Sequence, residues 1–309
     1  MTTLPQPIFI LGPTGCGKSA VAVALAERLA RAEIVSADAY QVYREMPILT
    51  AAPSAAEMAR VPHHLVGCMG VHESNDAATH ARKAQTCIEQ IQQRGLVPIV
   101  TGGSGLYVKF ISHGISPAPP SDEALRAELT ALPLEEVVRR LQEADPEGAA
   151  ATDLQNPRYV VRNLEIVLVG GKPLSYWKNN WIPERAAGPG FCLVRDTVDL
   201  DARIARRAAA MAEQGVLQEV EQLLAATEGG KTLSHTAVRT LGLEQVQRYL
   251  AGECSLADMV AELALATRQY AKRQRTWLRR EKWLTPVEVA PEDSCEAVCA
   301  RVLSALGVA

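Results

Sequence analysis

The sequence predicts an α/β protein whose parallel sheet carries a phosphate-binding P-loop. An apolar run at 8–11 leads into a glycine-rich turn, and a helical pattern follows over 20–30. Further apolar runs at 33–37 and 97–101 alternate with a helical pattern over 76–94. Strands that alternate with helices along a chain form βαβ units, in which neighbouring strands are parallel.

The glycine-rich turn matches the pattern G-x-x-x-x-G-K-[ST] over residues 12–19 without a mismatch. In such a turn backbone N–H groups point at phosphate oxygens, the lysine adds a positive charge, and the hydroxyl can hold Mg²⁺. We therefore predict a bound di- or triphosphate, with Mg²⁺ as cofactor at Ser19. The predicted phosphate-binding residues are Gly12, Pro13, Thr14, Gly15, Cys16, Gly17, Lys18 and Ser19.

Two further segments follow strands of the predicted sheet. Asp38 comes directly after the strand at 33–37, and a second glycine-rich turn at 102–105 follows the strand at 97–101. Ligands bind along the carboxyl edge of a parallel sheet, where both segments and the P-loop are expected to lie. Asp38 is either a metal ligand of a phosphoryl-transfer enzyme or a general base, and a simple turn-forming role is the alternative.

The middle of the chain changes from alternating strands and helices to helical patterns alone. Prolines at 117, 119 and 120 precede helical patterns over 122–132, 134–144 and 158–169. We predict a helical insertion at 117–185, and a catalytic core made of 1–116 and 186–309. The chain is expected to return to its sheet once, at 188–196, and then to end in a helical C-terminal region. The helices predicted there span 199–226, 235–250, 255–283 and 292–306.

Composition narrows the class of protein. The chain has 309 residues, is 48% hydrophobic and carries a net charge of −3, so a polyanionic partner must be bound by a local basic patch. Seven cysteines without a C-x-x-C pair suit a reducing cytosol. The sequence shows neither an apolar run of membrane-span length nor a cleavable leader. We therefore expect a cytoplasmic monomer with no membrane partner.

Basic residues recur at helical spacing near the C-terminus. Arg268, Lys272, Arg275 and Arg279 follow i, i+4, i+7, i+11 spacing, and an aromatic and polar set lies on another side. Such a helix suits an RNA backbone, while a solvated basic face with its aromatics in the core is the alternative. Similarly, the arginines at 203, 206 and 207 either close over a diphosphate or are simply solvated.

Together these segments resemble the tRNA dimethylallyltransferases, also called tRNA isopentenyltransferases, over nearly the whole chain. The motifs are Gly-Pro-Thr-x-x-Gly-Lys-Ser at 12–19, Ser-Ala-Asp-x-x-Gln-Val-Tyr-Arg at 36–44, Pro-His-His-Leu at 62–65, Gly-Gly-Ser-Gly-Leu-Tyr at 102–107, Arg-Asn-Leu-Glu-Ile at 162–166, Gly-Lys-Pro-Leu-Ser at 171–175 and Arg-Gln-Tyr-Ala-Lys-Arg-Gln-x-Thr-Trp at 268–277. A generic P-loop kinase has no reason to carry the last of these.

The resemblance implies transfer of a dimethylallyl group from dimethylallyl diphosphate to the N6 amine of the adenosine 3′-adjacent to the anticodon of tRNA. It implies that Asp38 is the base and that Lys18, Ser19 and Arg203 stabilise the leaving diphosphate. The insertion would hold the anticodon stem-loop. The implied tRNA contacts are Asp38, Ala39, Tyr40, Gln41, Ser104, Arg126, Arg158, Arg162, Arg239, Lys272, Arg273, Arg275 and Arg279.

Three other functions remain open at this point. They are an adenylate isopentenyltransferase acting on free nucleotide, a small-molecule P-loop kinase that binds ATP, and a non-catalytic RNA-binding module. The chain also departs from the family pattern at 39–40, 45–52, 67, 159 and 243, where two glycines and a lysine are lost in the loop after Asp38. We expect that loop and some tRNA contacts to differ from those of the family.

Overall fold

The computed structural model describes residues 5–181, 187–228 and 232–308. The chain divides into two compact units, which we call the core unit (Met1–Ser112 with Ala186–Ala309) and the insertion unit (His113–Arg185). The sequence analysis placed the first boundary four residues later, after position 116, where the prolines begin. The second predicted boundary, at 185/186, lies outside the described residues.

The core unit contains a six-stranded sheet in which every described strand pair is parallel. The strands are β1 Ile8–Leu11, β2 Ala32–Ala37, β3 His63–His64, β4 Val97–Gly102, β5 Gly190–Arg195 and β6 Leu284–Val289, in the order β3-β2-β4-β1-β5-β6. The predicted parallel P-loop sheet is thus confirmed. Because β2, β4 and β1 are neighbours, the segments that follow them meet at one edge.

Helices cover both faces of this sheet. Residues alternate along β1, so Ile8 and Ile10 pack into one hydrophobic cluster while Phe9 and Leu11 pack into the other. The core helices are α1 Lys18–Leu29, α2 Ala55–Arg60, α3 Ala77–Gln93, α4 Gly105–His113, α10 Thr197–Glu213, α11 Val216–Glu228, α12 Leu243–Leu250, α13 Leu256–Leu278 and α14 Cys295–Ala305. In the part of the chain that the structure describes, no helix combines the length and apolarity that a membrane span requires.

The insertion unit is helical, as its sequence pattern indicates. Its helices are α5 Glu123–Ala131, α6 Leu134–Ala144, α7 Pro146–Ala150, α8 Pro157–Gly170 and α9 Leu174–Asn180. Leu129 of α5, Leu141 of α6 and Leu164 of α8 are fully buried against one another in a separate hydrophobic cluster. The unit therefore has a core of its own.

The prediction of one long helix over 199–226 is wrong. The structure has two helices, α10 and α11, which are separated at Gln214 and Gly215. Gly215 has φ +99°, a left-handed conformation that glycine adopts readily and that ends a helix. Gly242, with φ +95°, likewise divides the predicted helix over 235–250 into a 3₁₀ turn at Ala237–Arg239 and α12.

The prediction that the chain returns to its sheet only once is also wrong. Helix α13 ends at Leu278, before the predicted end at 283, and β6 adds an edge strand beside β5. In β6 only Val287 and Val289 are buried, and Pro286 interrupts the pattern. Proline is tolerated on an edge strand because one side of the strand forms no ladder hydrogen bonds. The strand is therefore too short and too exposed to give a clear sequence signal.

Candidate functional site

The P-loop lies between β1 and α1. Gly15 and Gly17 have φ +88° and +97°, which L-residues with a Cβ rarely adopt. A Cβ on Gly12 would lie 2.5 Å from the Cys16 Sγ. The glycines thus allow the tight turn that leads the chain into α1 at Lys18, whose first N–H groups have no partner within the helix.

Several cations surround this turn. The Arg203 Nε donates to the Gly15 carbonyl oxygen at 2.9 Å, and the Lys18 Nζ lies 3.5 Å from the Pro13 carbonyl oxygen. Arg207, one helical turn after Arg203, forms neither a hydrogen bond nor an ion pair with another described residue. Its burial lowers the pKa of Arg207, and the nearby Asp38 carboxylate opposes that shift. With Arg206, these side chains line an outer cavity of about 390 Å³.

A second, inner cavity of about 80 Å³ adjoins the first. Lys18, Ser19, Ala51 and Arg207 line both cavities. Asp38 lines the inner one. The apolar part of its wall consists of Leu49, Ile204, Ala208, Met211, Leu241 and Leu263. The inner cavity therefore combines cations that suit phosphate, an apolar wall and the Asp38 carboxylate, while Glu57 lines the outer cavity.

Asp38 immediately follows β2 and is held by its own turn. Its Oδ1 accepts hydrogen bonds from the backbone N–H groups of Tyr40 at 2.9 Å and Gln41 at 3.4 Å. Within the described residues no hydrogen bond to Oδ2 is recorded. One carboxylate oxygen thus fixes the orientation of the group, and the other is available to a substrate proton.

A buried network supports the backbone on both sides of Asp38. The His80 Nε2 lies 2.8 Å from the Ser36 carbonyl oxygen, and the Asn75 Nδ2 donates to the Ala39 carbonyl oxygen at 3.1 Å. Burial lowers the pKa of His80 and so favours the neutral ring. The partners assign the tautomer, since Nε2–H donates to Ser36 and Nδ1 accepts from the Asn75 Nδ2 at 3.3 Å. The network therefore fixes where Asp38 stands.

Helix α13 contacts both the P-loop and the Asp38 segment. The Gln274 Oε1 accepts a hydrogen bond from the Thr14 N–H at 2.8 Å. The Tyr270 hydroxyl lies 3.0 Å from the Ser104 Oγ, which in turn accepts from the Ala39 N–H at 3.4 Å. One helix thus orders the phosphate-binding loop and the carboxylate together.

The sequence model of the family described as IPP transferase matches residues 41–281. The chain belongs to this family. It is 55% identical to the tRNA dimethylallyltransferase of Akkermansia muciniphila, over 97% of this chain and 99% of that one. It is 39% identical to that of Halorhodospira halophila, over 97% and 98%. A solved tRNA isopentenylpyrophosphate transferase from Bacillus halodurans aligns with a TM-score of 0.71 and 32% identity, over 98% of this chain and 96% of that one. The resemblance inferred from the motifs is confirmed.

The structure brings most of the core residues predicted for an IPP transferase into one place. Thr14, Lys18, Ser19, Asp38, Tyr40 and Gln41 line the inner cavity, and Gly15, Gly17 and Arg203 line the outer one. Ala39 and Cys16 do not join them. Both are buried, and Cys16 packs beneath the loop with the cluster that contains Ile10. Arg239 lies exposed on the 3₁₀ turn.

Helix α13 has a packed face and an exposed basic face, as the alternative of a solvated basic face predicts, and contact of that face with an RNA stays a prediction. Gln274 is buried, and Trp277 packs so closely on Gly105 that a Cβ there would lie 2.8 Å from its ring. Lys272, Arg273 and Arg279 are exposed. Arg275 is partly engaged, since its Nη1 donates to the Thr197 Oγ1 at 2.6 Å. The aromatics are therefore structural, while the exposed cations remain available to a polyanion.

In the insertion unit two predicted RNA-binding arginines have a structural partner. Arg126 and Arg162 each donate to the Oε2 of Glu165 at 2.7 Å, and Glu165 is fully buried. Burial alone would raise the pKa of Glu165, but the hydrogen bonds from Arg162, Arg126 and the Asp122 N–H outweigh it and lower the pKa. Arg158, by contrast, is exposed at the start of α8.

Some residues of the site were missed by sequence reasoning. Arg207 was named with Arg203 and Arg206 as a candidate to close over a diphosphate, but only Arg203 was assigned a catalytic role, although Arg207 lines both cavities. Asn75 and His80 carried no recognisable pattern. Neither did Gln274 as a partner of the P-loop, because that contact spans 260 positions in the sequence.

Proposed function

We propose that this chain transfers a dimethylallyl group from dimethylallyl diphosphate to the N6 amine of the adenosine 3′-adjacent to the anticodon in tRNA, and releases diphosphate. One observation carries the proposal. Asp38 lines the same cavity as the cations Lys18 of the P-loop and Arg207 of α10 and an apolar wall. That combination suits a substrate with a charged diphosphate head and a small hydrocarbon tail.

The cations stabilise the leaving group. When the bond between the allylic carbon and the diphosphate oxygen breaks, negative charge grows on the diphosphate. Lys18, Arg203, Arg207 and the unpaired N–H groups at the start of α1 face the outer cavity and are already in place to stabilise this charge. Preorganised donors of this kind act without rearrangement during the reaction.

Asp38 acts as the base. The N6 nitrogen forms a bond to the allylic carbon, the electron pair of the broken carbon–oxygen bond leaves with the diphosphate, and the excess proton on nitrogen passes to the Asp38 carboxylate. Oδ2 is the oxygen that takes the proton, because Oδ1 is engaged by the Tyr40 and Gln41 N–H groups. Ser104, linked to the Ala39 N–H, borders the same segment.

The residues present fit a magnesium ion that is bound mainly through its substrate. Mg²⁺ commonly takes one or two protein oxygens together with phosphate oxygens and water. The Ser19 hydroxyl and the Asp38 carboxylate line the inner cavity, and the described residues contain no cluster of three metal-ligating side chains. Ser19 would hold the ion, which neutralises charge on the diphosphate when bound.

The acceptor is an RNA in this proposal because both units carry exposed cations. The exposed cations available to backbone phosphates are Lys272 and Arg273 on α13, Arg279 directly after it, Arg239 on the 3₁₀ turn and Arg158 on α8. A target base must leave its stack to reach a buried donor, and contacts to the surrounding loop offset that cost. The proposal includes action in the cytoplasm and a monomeric enzyme. A free adenine nucleotide would not need this distributed charge.

The test is mass analysis of an anticodon stem-loop RNA with consecutive adenosines, after incubation with the protein, Mg²⁺ and dimethylallyl diphosphate. A gain of one five-carbon unit on the loop adenosine is expected. Two further assays distinguish the alternative functions. Preferential modification of AMP over the stem-loop would favour an adenylate isopentenyltransferase, and ATP turnover with Asp38-dependent metal binding would favour a kinase.

A further inference from the structure

The carboxylate of Glu219 on α11 binds the backbone of the loop that follows Asp38. Its Oε2 accepts a hydrogen bond from the Ile48 N–H at 2.7 Å, and its Oε1 accepts one from the Leu49 N–H at 2.8 Å. These bonds join residues that are 171 and 170 positions apart in the sequence. Both carboxylate oxygens are thus engaged by two successive N–H groups of one loop.

Glu219 is a partly buried carboxylate that forms no ion pair with a cation in the part of the chain that the structure describes. Burial raises its pKa, and the hydrogen bonds from the Ile48 and Leu49 N–H groups oppose that shift. A charge that is removed from water is costly unless hydrogen bonds or an opposite charge compensate it. The two N–H groups supply that compensation here, so Glu219 and the loop hold each other in place.

The loop that Glu219 holds is a tight turn that ends in a strained residue. The Ala51 N–H donates to the Ile48 carbonyl oxygen at 3.0 Å. Ala51 has φ +47°, a left-handed conformation that persists in a residue with a Cβ only when the surrounding structure imposes it. The Gln41 Nε2 donates to the Ala51 carbonyl oxygen at 3.1 Å. Glu219 thus fixes the start of this turn, and Gln41 fixes its end.

The turn forms part of the wall of the inner cavity. Three consecutive residues, Leu49, Thr50 and Ala51, line this cavity, whose volume is only about 80 Å³. Leu49 belongs to the same hydrophobic cluster as Met211 and Leu263, which also line the cavity. Because the space is small, a displacement of the turn changes its shape. The position of the turn therefore affects how well an apolar group fits there.

We propose that Glu219 is a positioning residue for the prenyl tail of the donor. By holding the Ile48 and Leu49 N–H groups, it sets the position of the cavity wall against which the five-carbon tail packs. The inference rests on the proposed prenyl transfer, in which cations of the P-loop and α10 bind the diphosphate. Among the described residues Glu219 hydrogen-bonds to neither of those elements. Its role therefore concerns the tail of the donor and not the diphosphate head.

Calorimetric titration of the full chain with dimethylallyl diphosphate and with inorganic diphosphate, each with Mg²⁺, tests the inference without RNA. Inorganic diphosphate has the head of the donor but lacks the tail. Glu219→Gln keeps the size of the side chain, but its NH₂ group is a donor, so in the same orientation one N–H loses its acceptor. The dissociation constant for dimethylallyl diphosphate should rise by about tenfold, while that for inorganic diphosphate should stay within about twofold of the wild-type value. Glu221→Gln, exposed on the same helix, is the matched control and should change neither constant.

The ratio of the two dissociation constants separates positioning of the tail from a general effect on stability. A general effect weakens both ligands alike, so a wild-type ratio in Glu219→Gln, or the same shift in Glu221→Gln, overturns the role of Glu219. Single-turnover transfer from saturating dimethylallyl diphosphate to the stem-loop RNA is then measured with the wild type. If the RNA stays unmodified while the ratio depends on Glu219, the proposed transfer to RNA fails and the positioning of the tail stands.

Discussion

The side-chain carbonyl of Gln274 accepts a hydrogen bond from the backbone N–H of Thr14 at 2.8 Å, which joins residues 260 positions apart. This bond ties the P-loop to α13, the helix on which Lys272 and Arg273 are exposed and which the exposed Arg279 directly follows. The same helix reaches Ser104 through the Tyr270 hydroxyl. The helix that carries these exposed cations is thus also the helix that holds the P-loop.

We predict that Gln274→Leu weakens donor binding. The substitution leaves the Thr14 N–H without its partner in a partly buried contact, which costs about 1–3 kcal/mol and loosens the loop. The dissociation constant for dimethylallyl diphosphate, measured by calorimetry, should rise by about tenfold or more. Gln269→Leu on the exposed face of α13 is the control. Equal affinity for the two variants would show that the bond does not order the loop.

Variants of Asp38 and Lys18 should differ in which step they impair, donor binding or transfer. Asp38→Ala removes the proposed base but none of the cations around the P-loop, so we expect donor affinity close to that of the wild type and a transfer rate lower by about 10²–10⁴-fold. Lys18→Ala removes a charge that faces both cavities and should weaken donor binding as well as transfer. Calorimetric titration measures donor affinity, and single-turnover rates at saturating donor measure transfer. A near wild-type rate for Asp38→Ala would contradict its assignment as the base.

The ion pairs of Glu165 with Arg126 and Arg162, which we call the Glu165 cluster, should stabilise the insertion unit against unfolding. Glu165→Gln removes the charge that Arg126 and Arg162 share, and breaking a buried ion pair in this way typically costs about 3–5 kcal/mol. Glu143→Gln is the control, because Glu143 pairs with Arg139 on an exposed helix face. Thermal unfolding followed by circular dichroism should show a clear loss for the first variant and almost none for the second.

The same cluster has a defined pH dependence. The pKa of Glu165 is lowered in the folded chain, so its contribution is fully present above the unfolded-state value of about 4.5 and is lost as pH falls through the folded value. Stability measured below pH 5 should therefore fall less steeply for Glu165→Gln than for the wild type. Parallel curves for the two proteins would mean that the carboxylate does not contribute in this way.

Sequence patterns predicted the parts of the site that are local in the chain. The P-loop is a continuous run, and Asp38 directly follows its strand, so neither needed tertiary information. The partners of these residues did. Gln274 and Glu165 look like ordinary polar positions on amphipathic helices, and only the packing of distant helices gives them a function. The break at Gly215 was missed for a related reason, since the apolar periodicity continues on both sides of it.

The exposed cations of α13 predict a salt-dependent effect on RNA binding. Lys272→Gln and Arg279→Gln should each weaken stem-loop binding and reduce the slope of log K against log salt by about 0.7–0.9 per lost phosphate contact. Donor affinity should stay the same. Arg28→Gln is the control. Arg28 is exposed at the far end of α1, about 15 Å from Lys18 along the helix axis. Unchanged slopes for Lys272→Gln and Arg279→Gln would mean that these two cations are only solvated and do not contact the RNA.

The burial of His80 predicts a second pH dependence of folding stability, at higher pH than that of Glu165. Burial lowers the pKa of His80 below its usual 6.5, so the unfolded chain binds a proton that the folded chain does not, and stability falls as pH drops below about 6.5. His80→Gln keeps a donor for the Ser36 carbonyl but does not titrate. We expect it to retain transfer while reducing the slope of stability between pH 5.5 and 6.5 by up to ~1.4 kcal/mol per pH unit.

The transfer rate separates positioning by His80 from a purely structural role. The pKa of His63 is also lowered by burial, so His63 adds to the slope of stability against pH. The variant His63→Gln is therefore measured in parallel. His80→Phe leaves the Ser36 carbonyl and Asn75 without their partner, and it should lower the rate of transfer at saturating donor while leaving donor affinity near the wild-type value. His80→Gln should restore that rate. If both variants transfer at the wild-type rate, the network does not position Asp38.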